Sequence, residues 1–358
     1  MDRALLVGTR KGLFVFRRNG VWKAASPAFA GVQVTNALRD PHSGKIFAAL
    51  NYGHFGRKLQ VSEDGGATWR EIAAPTYPKV EGDETAPSVD LIWTIEAGGA
   101  DMPGELWAGT VPGGLFRSTD HGESWSLVES LWNAPGRSEW FGGGYDKPGI
   151  HSICVDPRDP NRVSVAVSCG GAWLTEDRGK TWNVRSKGLY AAYMPPETRE
   201  NPAVQDVHRM VQCRDKPESF WIQHHNGMFR SGNDLASWDD ISPKDGSFGF
   251  AVAASPHDPD TAWFVPAEAD QNRVPKDGKL IVRRTRDGGR SFETLSRGLP
   301  DIASYDLIYR HGLDIDRTGK ALAIGSTTGG LWLSENEGDS WSEIPMRLPP
   351  VLSVRWTR

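Results

Sequence analysis

An eight-residue signature, Ser/Thr-x-Asp-x-Gly-x-Ser/Thr-Trp, recurs along this chain of 358 residues and limits the folds open to it. It stands at Ser62–Trp69, Ser118–Trp125 and Thr175–Trp182 in near-identical form. Further copies at Thr285–Phe292 and Ser334–Trp341 exchange one residue each, Phe for Trp and Asn for Asp. A degenerate copy at Ser231–Trp238 puts Leu235 where the Gly belongs, and Arg17–Trp22 is a shortened seventh. The terminal aromatics Trp22, Trp69, Trp125, Trp182, Trp238, Phe292 and Trp341 are 47 to 57 residues apart, the length of one four-stranded blade with its loops.

Each octet follows the same context: a short apolar strand, a Gly-rich turn, and a second strand running into the signature, as in Glu105–Thr110 and Gly114–Ser118. An inner strand ending in an Asp-Pro or Ser-Pro turn lies upstream, as at Ile150–Val155. The pattern predicts an all-β, seven-bladed propeller over 1–358. Blade one begins at its second strand, and Val351–Trp356 supplies the missing inner strand, which closes the ring and removes exposed sheet edges. Within the octet, Asp accepts bonds from the N–H groups of its own turn, Gly takes a backbone angle that other residues resist, and the aromatic packs back on the strands. Asp64, Asp120 and Asp177 are therefore read as scaffold.

A formal net charge of −4 with no long Lys/Arg run gives no electrostatic footprint for nucleic acid or anionic membrane. No stretch is apolar for long enough to span a bilayer as a helix. The opening residues read as folded strand rather than a cleavable leader. Cys154, Cys169 and Cys213, an odd number at wide spacing, suit a reducing, cytoplasmic setting better than a disulfide framework.

The octets resemble the Asp-box, or BNR, repeat of sialidases, xyloglucan-type glycoside hydrolases, sortilin-like receptors and photosystem assembly factors, and nearly the whole chain is similar to bacterial single-propeller proteins described as sialidase-like or glycosyl hydrolase-like. The resemblance implies a propeller and a glycosidase-like hydrolase. Sialidases carry an early Phe-Arg-Ile-Pro-like motif, whose Arg grips the substrate carboxylate, and a Tyr–Glu nucleophile pair. Here the corresponding stretch is Leu13–Arg18 without that motif, so no sialidase site residue transfers.

Insertions at 75–88, 130–149, 187–206 and 267–279 all fall on the face that carries the connections between blades, and that face is expected to hold the site. Five residues before Asp156, Cys213 and Asp316, the ends of three inner strands, stand His151, His208 and His311. With His224 and His225 from a neighbouring turn, they are candidate ligands for a divalent transition metal such as zinc. The alternatives are acid–base work without metal, and imidazoles that only bond backbone carbonyls. Candidate catalytic groups at similar height are Asp206, Asp306, Tyr309, Glu268 and Asp270, with Trp140, Tyr193 and Arg310 as candidate contacts to a small polar or sugar-like ligand. Gly142-Gly143-Gly144 lacks the Lys-Ser/Thr of a phosphate loop and is set aside. The competing functional class is a non-catalytic propeller that carries protein or peptide partners.

Overall fold

The computed structural model describes residues 3–79, 82 and 87–357. Part of the first insertion, 75–88, therefore lies outside the described residues. Seven antiparallel sheets form the seven blades, and the inner strands of blades two to seven are Gln33–Arg39, Leu91–Ala97, Gly149–Val155, Val207–Gln212, Gly249–Ala254 and Leu313–Ile315. Six blades have four strands; the sixth gains a short extra strand, Asn272–Pro275, from its insertion.

Blade one is closed as expected: Val351–Trp356 pairs with Ala4–Thr9, Leu5 opposite Trp356 and Val7 opposite Val354. Trp356 is buried edge-to-face against the octet aromatic Trp22, ring centroids 5.3 Å apart, with the Arg3 guanidinium 5.0 Å from its ring. Truncating Trp356 to Ala removes this wedge at the seam and should cost about 3–5 kcal/mol, read as a lowered urea midpoint. A change under about 1 kcal/mol would mean that the seam does not hold the ring shut.

The core lies between blades. Leu38, Phe47, Leu59 and Ile72 of blade two pack against Ile95, Leu106 and Phe116 of blade three. The octets work as read. Asp64 accepts from the backbone N–H of Ala67 (3.0 Å) and Thr68 (2.9 Å) and from the Ser62 hydroxyl (2.8 Å). The equivalent bonds, led by that from the Thr181 hydroxyl, hold the Asp177 carboxyl down to about 2. The aromatics reach further than expected: the indole N–H of Trp238 donates to the Arg185 carbonyl of the preceding blade at 2.7 Å. In the degenerate octet Leu235 adopts the positive φ of 62° that glycine takes elsewhere, and its side chain is fully buried.

One feature of the inner strands was not legible in the sequence. In blades two to six the pairing slips by one residue near the start of each inner strand, a β-bulge at Thr35, Trp93, His151, His208 and Phe250. Where the bulged residue is polar, its side chain bonds the backbone carbonyl just before the next blade's bulge. Thr35 donates to Ile92 at 2.7 Å, His151 to Val207 at 2.7 Å and His208 to Gly249 at 2.6 Å. His151 and His208 are thus stitches between neighbouring blades around the channel.

Candidate functional site

Because a carbonyl oxygen can only accept, each of these bonds decides a tautomer. His151 must carry its proton on Nε2, which leaves Nδ1 to accept from the Ser152 hydroxyl at 2.9 Å. Its own carbonyl accepts from His311 Nε2 (2.8 Å) and from Arg209 (3.0 Å). His311 sits ahead of its short inner strand and joins Ser353 by an isolated bridge. His224 accepts from the Asn226 N–H at 3.1 Å, and burial pushes its imidazole down to about 3. His151 and His311 are thus bound into the channel wall, the alternative in which imidazoles bond backbone carbonyls, while His224 packs on Phe229 with its Nε2 unpartnered; the metal-ligand reading of these three is not carried by the cluster.

His208 differs. Its Nδ1–H is committed to Gly249, and its Nε2 faces Asp206 Oδ2 at 3.4 Å. His225 Nδ1 lies 3.5 Å from the same oxygen. One ligand atom from each of Asp206, His208 and His225 lies within 4.8 Å of the others. Local structure explains the convergence. Asp206 ends the long connection 187–206, His208 is the bulge two residues on, and His225 stands in the turn between strands Phe220–His224 and Gly227–Ser231. The backbone N–H of His225 donates to the Asp206 carbonyl at 2.9 Å and fastens that turn to the strand head.

The electrostatics favour an acceptor cluster. Burial by itself would raise the Asp206 carboxyl, but His208, His225 and Arg310 together hold it well below the ordinary range. Burial pushes the His208 imidazole down, against the pull of Asp206. The Asp206 carboxylate and His208 Nε2 thus face each other in a buried, mutually dependent contact. Asp206 is 4% exposed and its other oxygen, Oδ1, has no hydrogen-bond partner. A buried carboxylate in that condition is a costly arrangement unless a cation or an ordered water completes it.

The surroundings come from the insertions. Gly143 and Gly144 pass directly over the cluster: a Cβ on Gly143 would lie 2.8 Å from Asp206 Oδ1, Cys169 Sγ and Ser168 Oγ. One on Gly144 would lie 2.9 Å from Arg310 Nη2. The glycine run set aside as a failed phosphate loop is a strap whose missing side chains admit Asp206 and Arg310 beneath it. Gly143→Ala should force Asp206 or Cys169 to move, costing about 1–3 kcal/mol in stability, measurable by urea denaturation. An unchanged midpoint would place the strap elsewhere.

Arg310 is buried between Trp93 and Phe250, its guanidinium carbon 5.0 and 5.5 Å from the two rings, with Nε and Nη2 unpartnered. Burial pushes it down and Asp206 pulls it back up. Tyr193 is 44% exposed beside His225, ring centroids 5.0 Å apart, and its hydroxyl donates to the Val204 carbonyl. His225 and Tyr193 are the cluster's opening to solvent.

The remaining candidates are elsewhere. Asp306 is caged by the hydroxyls of Ser304, Ser326 and Thr328. Glu268 pairs with Lys276 and accepts from the Asp277 N–H, both at 3.2 Å, while Asp270 pairs with Arg273 at 2.6 Å. These three carboxylates are loop fasteners, a correction to their catalytic reading. Tyr309 packs edge-to-face on Phe250 at 5.3 Å, a ring layer away from the cluster. Trp140 is 6% exposed and packed on Trp173, so it anchors its loop and offers no stacking face. Trp93, Phe248, Phe250 and Cys169, which complete the pocket wall, went unread because the bulge register that collects Trp93 and Phe250 has no sequence mark.

The open cavity of the channel is at the other end. It measures about 390 Å³ and is lined by the far ends of the inner strands.

Comparison with known proteins agrees with the fold. The BNR/Asp-box repeat model matches residues 116–127, the octet of blade three. The chain is 25% identical over 332 residues to a probable oligoxyloglucan-reducing end-specific xyloglucanase of Neosartorya fischeri, covering 83% of this chain and 36% of that one. It thus spans about a third of the length of that curated relative. Among solved structures, the GH74 xyloglucanase of Xanthomonas campestris superposes with a TM-score of 0.65 at 16% identity, over 99% of this chain and 52% of that one. YCF48 from Cyanidioschyzon merolae superposes with a TM-score of 0.57 at 13% identity, over 89% and 87%. The chain is a seven-bladed propeller with an Asp-box repeat match in blade three, and it is similar in sequence to xyloglucanases.

Proposed function

We propose that this Asp-box propeller is a glycosidase-like hydrolase that takes a small carbohydrate-like ligand at its loop-rich mouth, where Asp206, His208 and His225 hold a divalent transition metal. The observation that carries the reading is the convergence of one ligand atom each from Asp206, His208 and His225 within 4.8 Å, beside a buried carboxylate oxygen with no partner. Two imidazoles and one carboxylate leave coordination positions open, and a bound ion there would supply Lewis-acid polarisation of a ligand oxygen. The Gly249 carbonyl fixes the His208 tautomer and ring orientation, as backbone acceptors commonly do for ligating histidines. Arg310 contributes fixed positive charge behind the carboxylate, and Tyr193 offers an exposed ring edge where a sugar would enter.

Support for a carbohydrate comes from the similarity to xyloglucanases. Incubating the purified chain with xyloglucan oligosaccharides should release new reducing ends, a signal that chelation removes and zinc or manganese restores. Release that survives exhaustive chelation would remove the metal from the reading. No release from any β-glucan oligosaccharide tried would remove the glycosidase. A platform for peptide partners is the competing reading, and it draws on Ile302 (82% exposed) and Tyr305 (68%) on one loop. Two side chains are a small apolar patch beside those that mark stable interfaces.

A further inference from the structure

The cavity at the opposite mouth has a different chemistry. Its 390 Å³ are walled by the ends of the inner strands, on the face of the Asp-Pro turns and octets, away from the Asp206 cluster. Five arginines line it, Arg39, Arg209, Arg214, Arg317 and Arg355, against three acids, Glu96, Asp314 and Asp316. In a chain whose net charge is −4 this is a local reversal of sign.

The acids are already engaged. Glu96 receives Arg355 at 2.5 and 2.6 Å. Asp316 receives Arg3, from outside the lining, at 2.9 Å, together with the Thr318 hydroxyl and the Ala321 N–H. Asp314 accepts the Trp356 N–H at 2.8 Å. Deep in the channel Arg209 gives one nitrogen to the His151 carbonyl, while its Nε has no partner; burial pushes its guanidinium down, Glu96 pulls it back up, and the nearby Arg355 charge adds to the fall. A buried guanidinium with unspent donors beside a second one is the arrangement an oxyanion completes, because planar N–H forks match carboxylate and phosphate oxygens. Arg214 and Arg317 stand exposed at the rim, where they would meet an incoming anion first.

We propose that this cavity is a binding site for a small polyanion carrying two or more carboxylate or phosphate groups, separate from the metal cluster at the other mouth. Its volume is at the small end of ligand pockets and suits a molecule of citrate or pyrophosphate size. Burial of Arg209 at the floor sets the depth, and the rim arginines set the charge that draws the ligand in.

The test is calorimetric titration of the full chain in low-salt buffer with citrate, pyrophosphate and inorganic phosphate in turn. Saturable binding of one equivalent is expected for at least one of them, and the preferred probe tells a carboxylated ligand from a phosphorylated one. Replacing both rim residues, Arg214→Gln with Arg317→Gln, should weaken that binding by about tenfold or more without touching the core. Arg209→Met should abolish it. Asp206→Ala should leave it unchanged, so failure of the metal reading would not disturb this one. Absence of saturable binding for all three anions at about 10 mM, beyond the millimolar limit of weak recognition, would overturn the proposal. Equal affinity in the wild-type chain and the rim double variant would overturn it too.

Discussion

Asp206→Ala should lower affinity for zinc or a similar ion by about a hundredfold or more, since even residues that only support a ligand cost tenfold to a hundredfold when lost. The variant removes one of three donors and the negative charge of the cluster, and it leaves the fold's bonds in place because the Asp206 backbone carbonyl still receives His225. A competition titration against a chromophoric chelator reads the loss. Stability separates a metal site from a structural carboxylate. In chelator, Asp206→Ala should cost little stability, because one of the two oxygens it deletes has no partner and the other has only the 3.4 and 3.5 Å contacts to His208 and His225. With zinc at a hundred times its dissociation constant, only the parent should gain about 2.7 kcal/mol. Identical zinc affinity in parent and variant would dismiss the cluster.

Acid should destabilise this protein well before its carboxylates titrate. His151, His208, His224 and His311 are all fully buried and all pushed below the ordinary value of 6.5, first by burial, His224 down to about 3. The sign follows from proton counting. Unfolded, each imidazole takes up a proton near pH 6.5; folded, it stays neutral, so its contribution is complete above pH 6.5 and shrinks as pH falls toward the folded value. Each proton bound only by the unfolded chain costs about 1.4 kcal/mol per pH unit. Every one of them that stays neutral in the folded chain steepens the loss of stability as pH falls below about 6.5. Urea denaturation from pH 7.5 to 4.5 measures the slope. A flat profile would mean that these imidazoles are protonated in the folded chain.

How much of this could be read from the chain alone differs by level. Blade number, strand order and closure were legible because the octet repeats a local chemistry, an Asp accepting from its own turn, that needs no distant partner. The site was half legible. Counting back from the strand ends picks out His151, His208 and His311 and leaves open whether they bind an ion, do acid–base work or only bond backbone carbonyls. What divides them is the partner of the second ring nitrogen, which comes from the neighbouring blade through a bulge that no residue type announces. His208 alone of the three has a carboxylate beside its remaining nitrogen, because Asp206 precedes it by two residues. Asp306 looked equivalent in sequence and proved to be caged by hydroxyls that lie up to 22 residues away. Gly143 and Gly144 were judged against the wrong template, since their role is to leave room rather than to bind. The arginines of the opposite mouth are scattered from position 39 to 355 and gather only when the ring closes.

Anomalous diffraction at the zinc edge, from crystals of the full chain grown with about one equivalent of zinc, tests the central claim most directly. The account predicts one strong peak about 2.0–2.2 Å from Asp206, His208 Nε2 and His225 Nδ1, at the distances zinc keeps to oxygen and nitrogen ligands. A map with no peak between those three side chains, or with zinc only on surface groups, would contradict it.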